Sequence, residues 1–175
     1  RAEQALFDDD SSYFMDLYVM DADGSNVRQL THSPGYDGGP FFSPDGSKIT
    51  WRRFNPDGNS AEIWVMNADG SNQRQLTADA MVAWAPYFHP SGDYLIYSSN
   101  QLGHANFELF LIDVDGANAP VRVTNTEGTD ILPVFSPDGR QLAWSTTRTD
   151  DGTSQLHIAD WNHLAALELL AAAAE

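Results

Sequence analysis

Cysteine is absent from the chain. Disulfides and thiolate metal sites are therefore excluded, and the absence is compatible with an exported bacterial protein that needs no oxidative folding. Lysine is nearly absent too, with Lys48 the single example, and 9 basic residues stand against 25 acidic ones for a net charge of -16. Nucleic acid and anionic membrane surfaces bind through Lys and Arg contacts to phosphate, so neither is expected as a partner. The acidity reads first as a solubility device for a sheet-rich protein, and a saline habitat is the sharper alternative. No stretch approaches the roughly 20 apolar residues that span a bilayer, so membrane insertion is not expected. The five histidines, His32, His89, His104, His157 and His163, share no metal-binding spacing. Neither a Gly-x-Ser-x-Gly elbow nor a phosphate-cradling glycine loop occurs. These absences predict no cofactor, no metal and no catalysis.

What is present repeats. Asp16-Leu17-Tyr18-Val19-Met20, Glu62-Ile63-Trp64-Val65-Met66, Glu108-Leu109-Phe110-Leu111-Ile112 and Gln155-Leu156-His157-Ile158-Ala159 recur about every 46 residues, a period that points to propeller blades. Each copy opens on a strand closed by a turn, as in Pro40-Phe41-Phe42-Ser43-Pro44-Asp45-Gly46 and Pro133-Val134-Phe135-Ser136-Pro137-Asp138-Gly139, with His89-Pro90-Ser91-Gly92 in the middle copy. Pro presets the turn's first φ, and Gly accepts the positive φ that follows. A second strand then ends on an aromatic residue, Trp51, Tyr97 or Trp144, which is expected to pack between blades. The third strand runs into Asp21-Ala22-Asp23-Gly24, Asn67-Ala68-Asp69-Gly70 or Asp113-Val114-Asp115-Gly116, and a short outer strand such as Arg28-Gln29-Leu30-Thr31 follows.

Taken together and in order, these motifs resemble the repeats of the TolB-like propeller family across roughly residues 16 to 162. The last copies also look like the final blades of propellers that accompany exported peptidases. The resemblance implies an all-β fold, a partial β-propeller of four-stranded antiparallel blades, located in the periplasm or secreted. The expected organisation is an irregular segment over 1–15, blades over 16–162, and a short helix over 163–175, where His163-Leu164-Ala165-Ala166-Leu167 and the alanines have high helix propensity. Three and a bit repeats do not close a ring of four to eight blades. Either two chains complete one as a homodimer of about six blades, or the chain is a fragment; its first residue is Arg1, which leaves room for a removed signal peptide or earlier blades.

The repeats supply an internal alignment: what all copies share belongs to the fold, and what one copy has alone is a candidate for function. Asp21-Ala22-Asp23-Gly24 is not an EF-hand, since Gly comes fourth and His32 stands at the twelfth place. The copies diverge on the rim formed by the loops entering each inner strand and the loops between second and third strands. Asp37 and Asp130 occupy matching positions there, where the middle copy has Ala83 followed by Trp84. The two carboxylates read as caps on the inner strand or as cation ligands. Arg52, Arg53, Asn100, His104, Asn106 and Arg148 share the rim, and together these groups suit a carboxylate or peptide terminus. The expected function is a non-catalytic module binding a protein or peptide in the bacterial envelope. The alternatives are an accessory propeller gating substrate for an exported peptidase, or a metal-dependent lyase on acidic sugars, against which the scattered histidines argue.

Overall fold

The computed structural model describes residues 15–78 and 81–173. Alternation along the strands builds it. In Tyr94-Leu95-Ile96-Tyr97, Leu95 and Tyr97 join one core with Ile63, Val65 and Phe110, whereas Tyr94 and Ile96 join another with Leu109, Leu111 and Trp144. A strand buried on both faces is apolar throughout, and the period of two decides which neighbouring blade each side chain meets.

β1 (Tyr18–Val19) and β2 (Arg28–Gln29) form a two-stranded sheet. β3 (Asp37–Phe42), β4 (Lys48–Phe54), β5 (Ala61–Asn67) and β6 (Arg74–Gln75) make the first full blade. β7 (Ala83–Phe88), β8 (Tyr94–Ser99), β9 (Glu108–Asp113) and β10 (Val121–Arg122) make the second. β11 (Asp130–Phe135), β12 (Gln141–Thr146) and β13 (Gln155–Asp160) form a three-stranded sheet, and α1 (His163–Ala172) follows. All pairing within the sheets is antiparallel. The architecture is the expected all-β partial propeller, unclosed, with a short C-terminal helix. The irregular segment expected over 1–15 lies, except for Met15, outside the described residues.

The shared motifs now have physical roles. The threonine ending each outer tail, Thr31, Thr77 or Thr124, accepts a hydrogen bond from the backbone N–H of Leu17, Ile63 or Leu109 at 2.9 Å. The same hydroxyls donate to the acidic residue opening the third strand, Asp16, Glu62 or Glu108. Gln155 holds that place in the last sheet, which has no outer strand to fasten. The tail arginines reach forward: Arg28 and Arg74 donate to the carbonyl oxygens of Asp69 and Asp115 in the next blade's turn. Between blades lie the aromatic residues that end the second strands, Trp51 and Tyr97 at 0% exposure and Trp144 at 8%.

Every inner strand also carries a bulge, with the pairing shifting between Gly38 and Phe41, Trp84 and Tyr87, and Ile131 and Val134. Pro40, Pro86 and Pro133 fall inside these gaps, where a missing N–H breaks the ladder. Proline also drives the preceding residue out of the right-handed helical region, and Gly39, Ala85 and Leu132 take φ of 64°, 52° and 56°.

The C-terminal helix packs back onto the second blade. Asn162 caps it by accepting from the Ala165 N–H, and Ala166, Leu167 and Leu170 pack with Leu109, Leu111, Val121 and Val123 of the neighbouring blade. Trp161 and His163 anchor its start. The Trp161 indole donates to the Tyr94 hydroxyl at 2.8 Å, and the His163 ring lies parallel to that of His89 at 4.5 Å. Burial pushes the Tyr94 phenol up to about 12 and holds the His89 imidazole below its ordinary value. No helix among the described residues is long and apolar enough to cross a membrane.

Among the described residues, both ends of the arc are open. Phe42, Phe88 and Phe135 are equivalent in the repeat, yet Phe42 is 56% exposed against 3% and 5%. Among the described residues, only the first has no inner strands of a preceding blade beside it. At the other end Leu156 and Ile158 of β13 are exposed.

Candidate functional site

One end of the sheets collects the copy-specific residues, because antiparallel pairing sets the start of each inner strand beside the end of the second strand: Asp37 faces Arg53, Ala83 faces Ser99, and Asp130 faces Thr146. Bulk water reaches little of the two aspartates there, which are 1% and 2% exposed. The Arg53 guanidinium grips Asp37 in bidentate fashion, Nε to Oδ1 at 2.7 Å and Nη2 to Oδ2 at 2.8 Å, while lying over the Trp64 ring at 4.3 Å. Asp130 accepts from Arg148 Nη2 at 2.5 Å and from the Trp144 indole at 3.0 Å. The two carboxylates, expected as strand caps or cation ligands, are each paired with an arginine, as low-dielectric burial favours. This pairing removes Arg53 and Arg148 from the arginines free to grip a ligand.

Arg52 differs. Its guanidinium is sandwiched between Tyr36, at 5.2 Å from the ring centroid, and Trp84, at 4.7 Å. Nη2 donates to the Tyr36 hydroxyl at 3.1 Å, Nε is buried without a hydrogen-bond partner, and among the described residues no carboxylate pairs with it. The backbone makes room for this arrangement. A Cβ on Gly38 would meet the Tyr36 ring at 2.5 Å, and one on Gly39 would meet Arg52 Nη1 at 2.5 Å.

Trp84 divides two cavities. One, of 390 Å³, is bounded by Tyr36, Arg52, Phe54, Pro56 and Asp57. The other, of 350 Å³, is bounded by His104, Phe107, Thr129, Ile131 and Leu132. Phe54 meets both Tyr36 and Trp84 edge-on, with centroids 5.8 and 6.4 Å apart. Asp57 also lines the first cavity, its carboxyl held below the usual range by the Asn59 backbone N–H. His104 is exposed beside the second. Asn106 lies close in the same loop, its backbone N–H donating to Gly103 and its side-chain oxygen buried without a partner. Asn100 is structural, accepting from the Val82 N–H at 2.9 Å.

The structure therefore brings Arg52, Trp84 and His104 to one surface, and sets Asp37 with Arg53 and Asp130 with Arg148 as its struts. Tyr36 and Phe54 were missed in the sequence. The internal alignment held the signal, since Tyr36 matches Val82 and Thr129, and Phe54 matches Asn100 and Thr147. Chemically the surface offers aromatic walls, two apolar recesses and one uncompensated cation. Among the described residues no group of three or more His, Asp or Glu side chains is arranged to hold a metal ion.

Among solved structures the chain is similar to a putative TolB from Agrobacterium tumefaciens, with a TM-score of 0.71 and 23% identity over 86% of this chain and 55% of that one. TolB from Acinetobacter baumannii gives the same TM-score at 22% identity, over 85% of this chain and 35% of that one. An oligogalacturonate lyase in complex with manganese is similar at a TM-score of 0.56 and 18% identity, covering 80% and 41%. These likenesses concern the fold, and the chain spans only about half or a third of the TolB structures' length. No curated protein matches its sequence. The family model for the TolB beta propeller domain matches residues 7–170, nearly the whole chain and every blade described above. The chain belongs to the TolB beta propeller domain family.

Proposed function

We propose that the protein is a non-catalytic binding module that holds a protein or peptide segment of the bacterial envelope on the rim around Trp84. The observation that carries this reading is the exposed Trp84 ridge, with Arg52 stacked on it and an apolar recess on either side. Aromatic and arginine side chains beside preformed recesses are the usual anchors of protein recognition. Propellers present such surfaces on the loops that a rigid sheet array positions. The buried carboxylates of the rim are consumed in ion pairs, which favours holding a ligand over moving a proton. The family supports a location in the periplasm or outside the cell.

Selection of random peptides displayed on phage against the purified chain tests this. Enriched peptides are expected to lose binding to Trp84→Ala while retaining it for Asp45→Asn, a substitution in a turn at the opposite end of the sheets. Peptides that bind Trp84→Ala as well as the parent chain, or that depend on Asp45, place binding elsewhere and end the proposal.

A further inference from the structure

The rim holds three arginines within one blade and its neighbours, and two of them are spoken for. Arg53 and Arg148 each face a buried aspartate. Arg52 faces none among the described residues, in a chain carrying 25 acidic and only 9 basic residues. The repeat explains no part of it: the positions equivalent to Arg52 hold Ser98 and Ser145. Stacking against Tyr36 and Trp84 covers the guanidinium, and of its edge donors Nη2 is given to the Tyr36 hydroxyl while Nη1 makes no hydrogen bond among the described residues. Nε, buried without a partner, adds to the cost of the uncompensated cation, and Nη1 is the donor left to meet an incoming acceptor.

Resting on the reading of this rim as a peptide site, we infer that Arg52 receives the C-terminal carboxylate of a peptide whose last side chain is apolar or aromatic. A carboxylate matches the guanidinium edge as no neutral group does. The terminal carboxylate, rather than an Asp or Glu side chain, fits the layout: the cation sits in the wall of the 390 Å³ cavity, so a terminal residue reaches Arg52 with its carboxylate while its side chain fills the space between Tyr36, Phe54 and Trp84. An acidic side chain in that space would set its charge among aromatic rings. The second recess, across Trp84, takes an apolar side chain further back along the peptide. The overall charge of -16 restricts the ligand to few acidic groups, which a single terminus satisfies.

The test uses three synthetic peptides and the whole chain, isotopically labelled, with the Trp84 indole N–H and Arg52 Nε–H signals followed by NMR. The peptides are acetyl-Ala-Leu-Ala-Phe with a free C-terminus, its C-terminal amide, and acetyl-Ala-Leu-Ala-Glu amide. The free acid is expected to shift both signals and to bind at least about tenfold more tightly than either amide, the scale of one charge-assisted hydrogen bond. In Arg52→Gln, checked for folding by circular dichroism, the acid is expected to fall to the affinity of its amide, and the amide to stay where it was. The comparison of acid with amide on the unmodified chain does not depend on that variant folding. If acid and amide bind alike while Trp84 shifts, the rim binds peptides but the carboxylate assignment is wrong. If the Glu amide equals the free acid, Arg52 reads side-chain acids and the inference fails in its terminal specificity. If none of the three moves either signal at millimolar concentration, the peptide reading of this surface falls together with the inference.

Discussion

Arg148→Ala should be among the most damaging substitutions on the rim, although it removes a side chain that is 24% exposed. The reason lies in what stays behind. Asp130 is 2% exposed, and among the described residues Arg148 Nη2 at 2.5 Å supplies its only charged partner; the Trp144 indole at 3.0 Å contributes a neutral hydrogen bond. Removing one member of a buried ion pair costs about 3 to 5 kcal/mol. The partial exposure of Arg148 lets some water reach the stranded carboxylate, so the lower end, about 3 kcal/mol, is expected. Arg74 provides the contrast: its ion pair with Asp115 joins side chains 37% and 85% exposed. An exposed pair of this kind is worth about 0 to 1 kcal/mol. Urea unfolding followed by circular dichroism and tryptophan fluorescence reads the difference. With a slope of about 2 kcal/mol per molar, Arg148→Ala should lower the midpoint by about 1.5 M. The double variant Arg148→Met with Asp130→Leu should recover most of that loss, because it strands no charge. A loss below about 1 kcal/mol for Arg148→Ala, or a double variant no better than the single one, would show that Asp130 is not the buried ion described.

Trp51 and Trp144 are equivalent in the repeat, but only Trp144 has an acceptor for its indole N–H, since Arg53 takes both oxygens of Asp37. Trp144→Phe should therefore cost about 1 kcal/mol more than Trp51→Phe, and equal unfolding midpoints would contradict this. Trp144→Ala, which empties a blade interface, should cost about 3 to 5 kcal/mol. Gly116→Ala should destabilise more than Gly24→Ala, by roughly 1 kcal/mol: both have positive φ, but only at Gly116 would a Cβ meet a neighbouring blade, at 2.9 Å from Leu76 Cδ2. Equal losses would mean that the Leu76 contact yields freely. Burial disfavours the charged form of His89, whose neighbours are His163, Asp93, Tyr94 and Ser91. With its folded pKa below the unfolded value of 6.5, its contribution to stability is complete above pH 6.5 and declines as pH falls through the folded value. Melting temperatures should drop between pH 7.5 and 5.5, and His89→Gln should flatten that drop. Asp45, held at about 2 by Ser43 and Ser47, adds a second decline between pH 3.8 and about 2. We also propose that the open blade ends bring two chains together, which light scattering checks; a folded monomer at micromolar concentration rules it out.

The blades were legible because their rules are local. Period-two alternation, Pro-Asp-Gly turns and a fourfold internal copy allow each strand to be located before any contact is known, and Trp51, Tyr97 and Trp144 fell where the repeat puts them. The expected helix after Asn162 followed from propensity alone. Its docking did not, because the parallel rings of His89 and His163 join residues 74 positions apart and belong to no motif. The rim was legible only by difference. Alignment of the copies isolated Arg52, Trp84 and His104, yet it treated Arg52, Arg53 and Arg148 alike. Which arginine is neutralised depends on cross-strand partners: Arg53 lies opposite Asp37 in the register, and Arg148 curls back onto Asp130 from the loop after β12. Tyr36 and Phe54 passed unnoticed because single aromatic residues at strand ends are ordinary until their rings are seen to meet.

An arc of blades that does not close has a middle and two ends, and amide hydrogen exchange should register the difference. Each blade is supported by its neighbours, so opening is easiest where a neighbour is missing and hardest where both are present. Every residue of β8 is buried, as are five of the six in β9, whereas β1 and β2 are partly or fully exposed and β13 is largely so. Slow exchange is expected to centre on β8 and β9, fading outward in both directions. Trp84 rises from β7 of that slowly exchanging blade, while Arg52 belongs to the next one toward the frayed end. A ligand clamped between them would join the two blades, and protection would spread from β8 into β4 on binding. The surface that recognises the ligand is thus placed to report its arrival as a change in how the arc breathes.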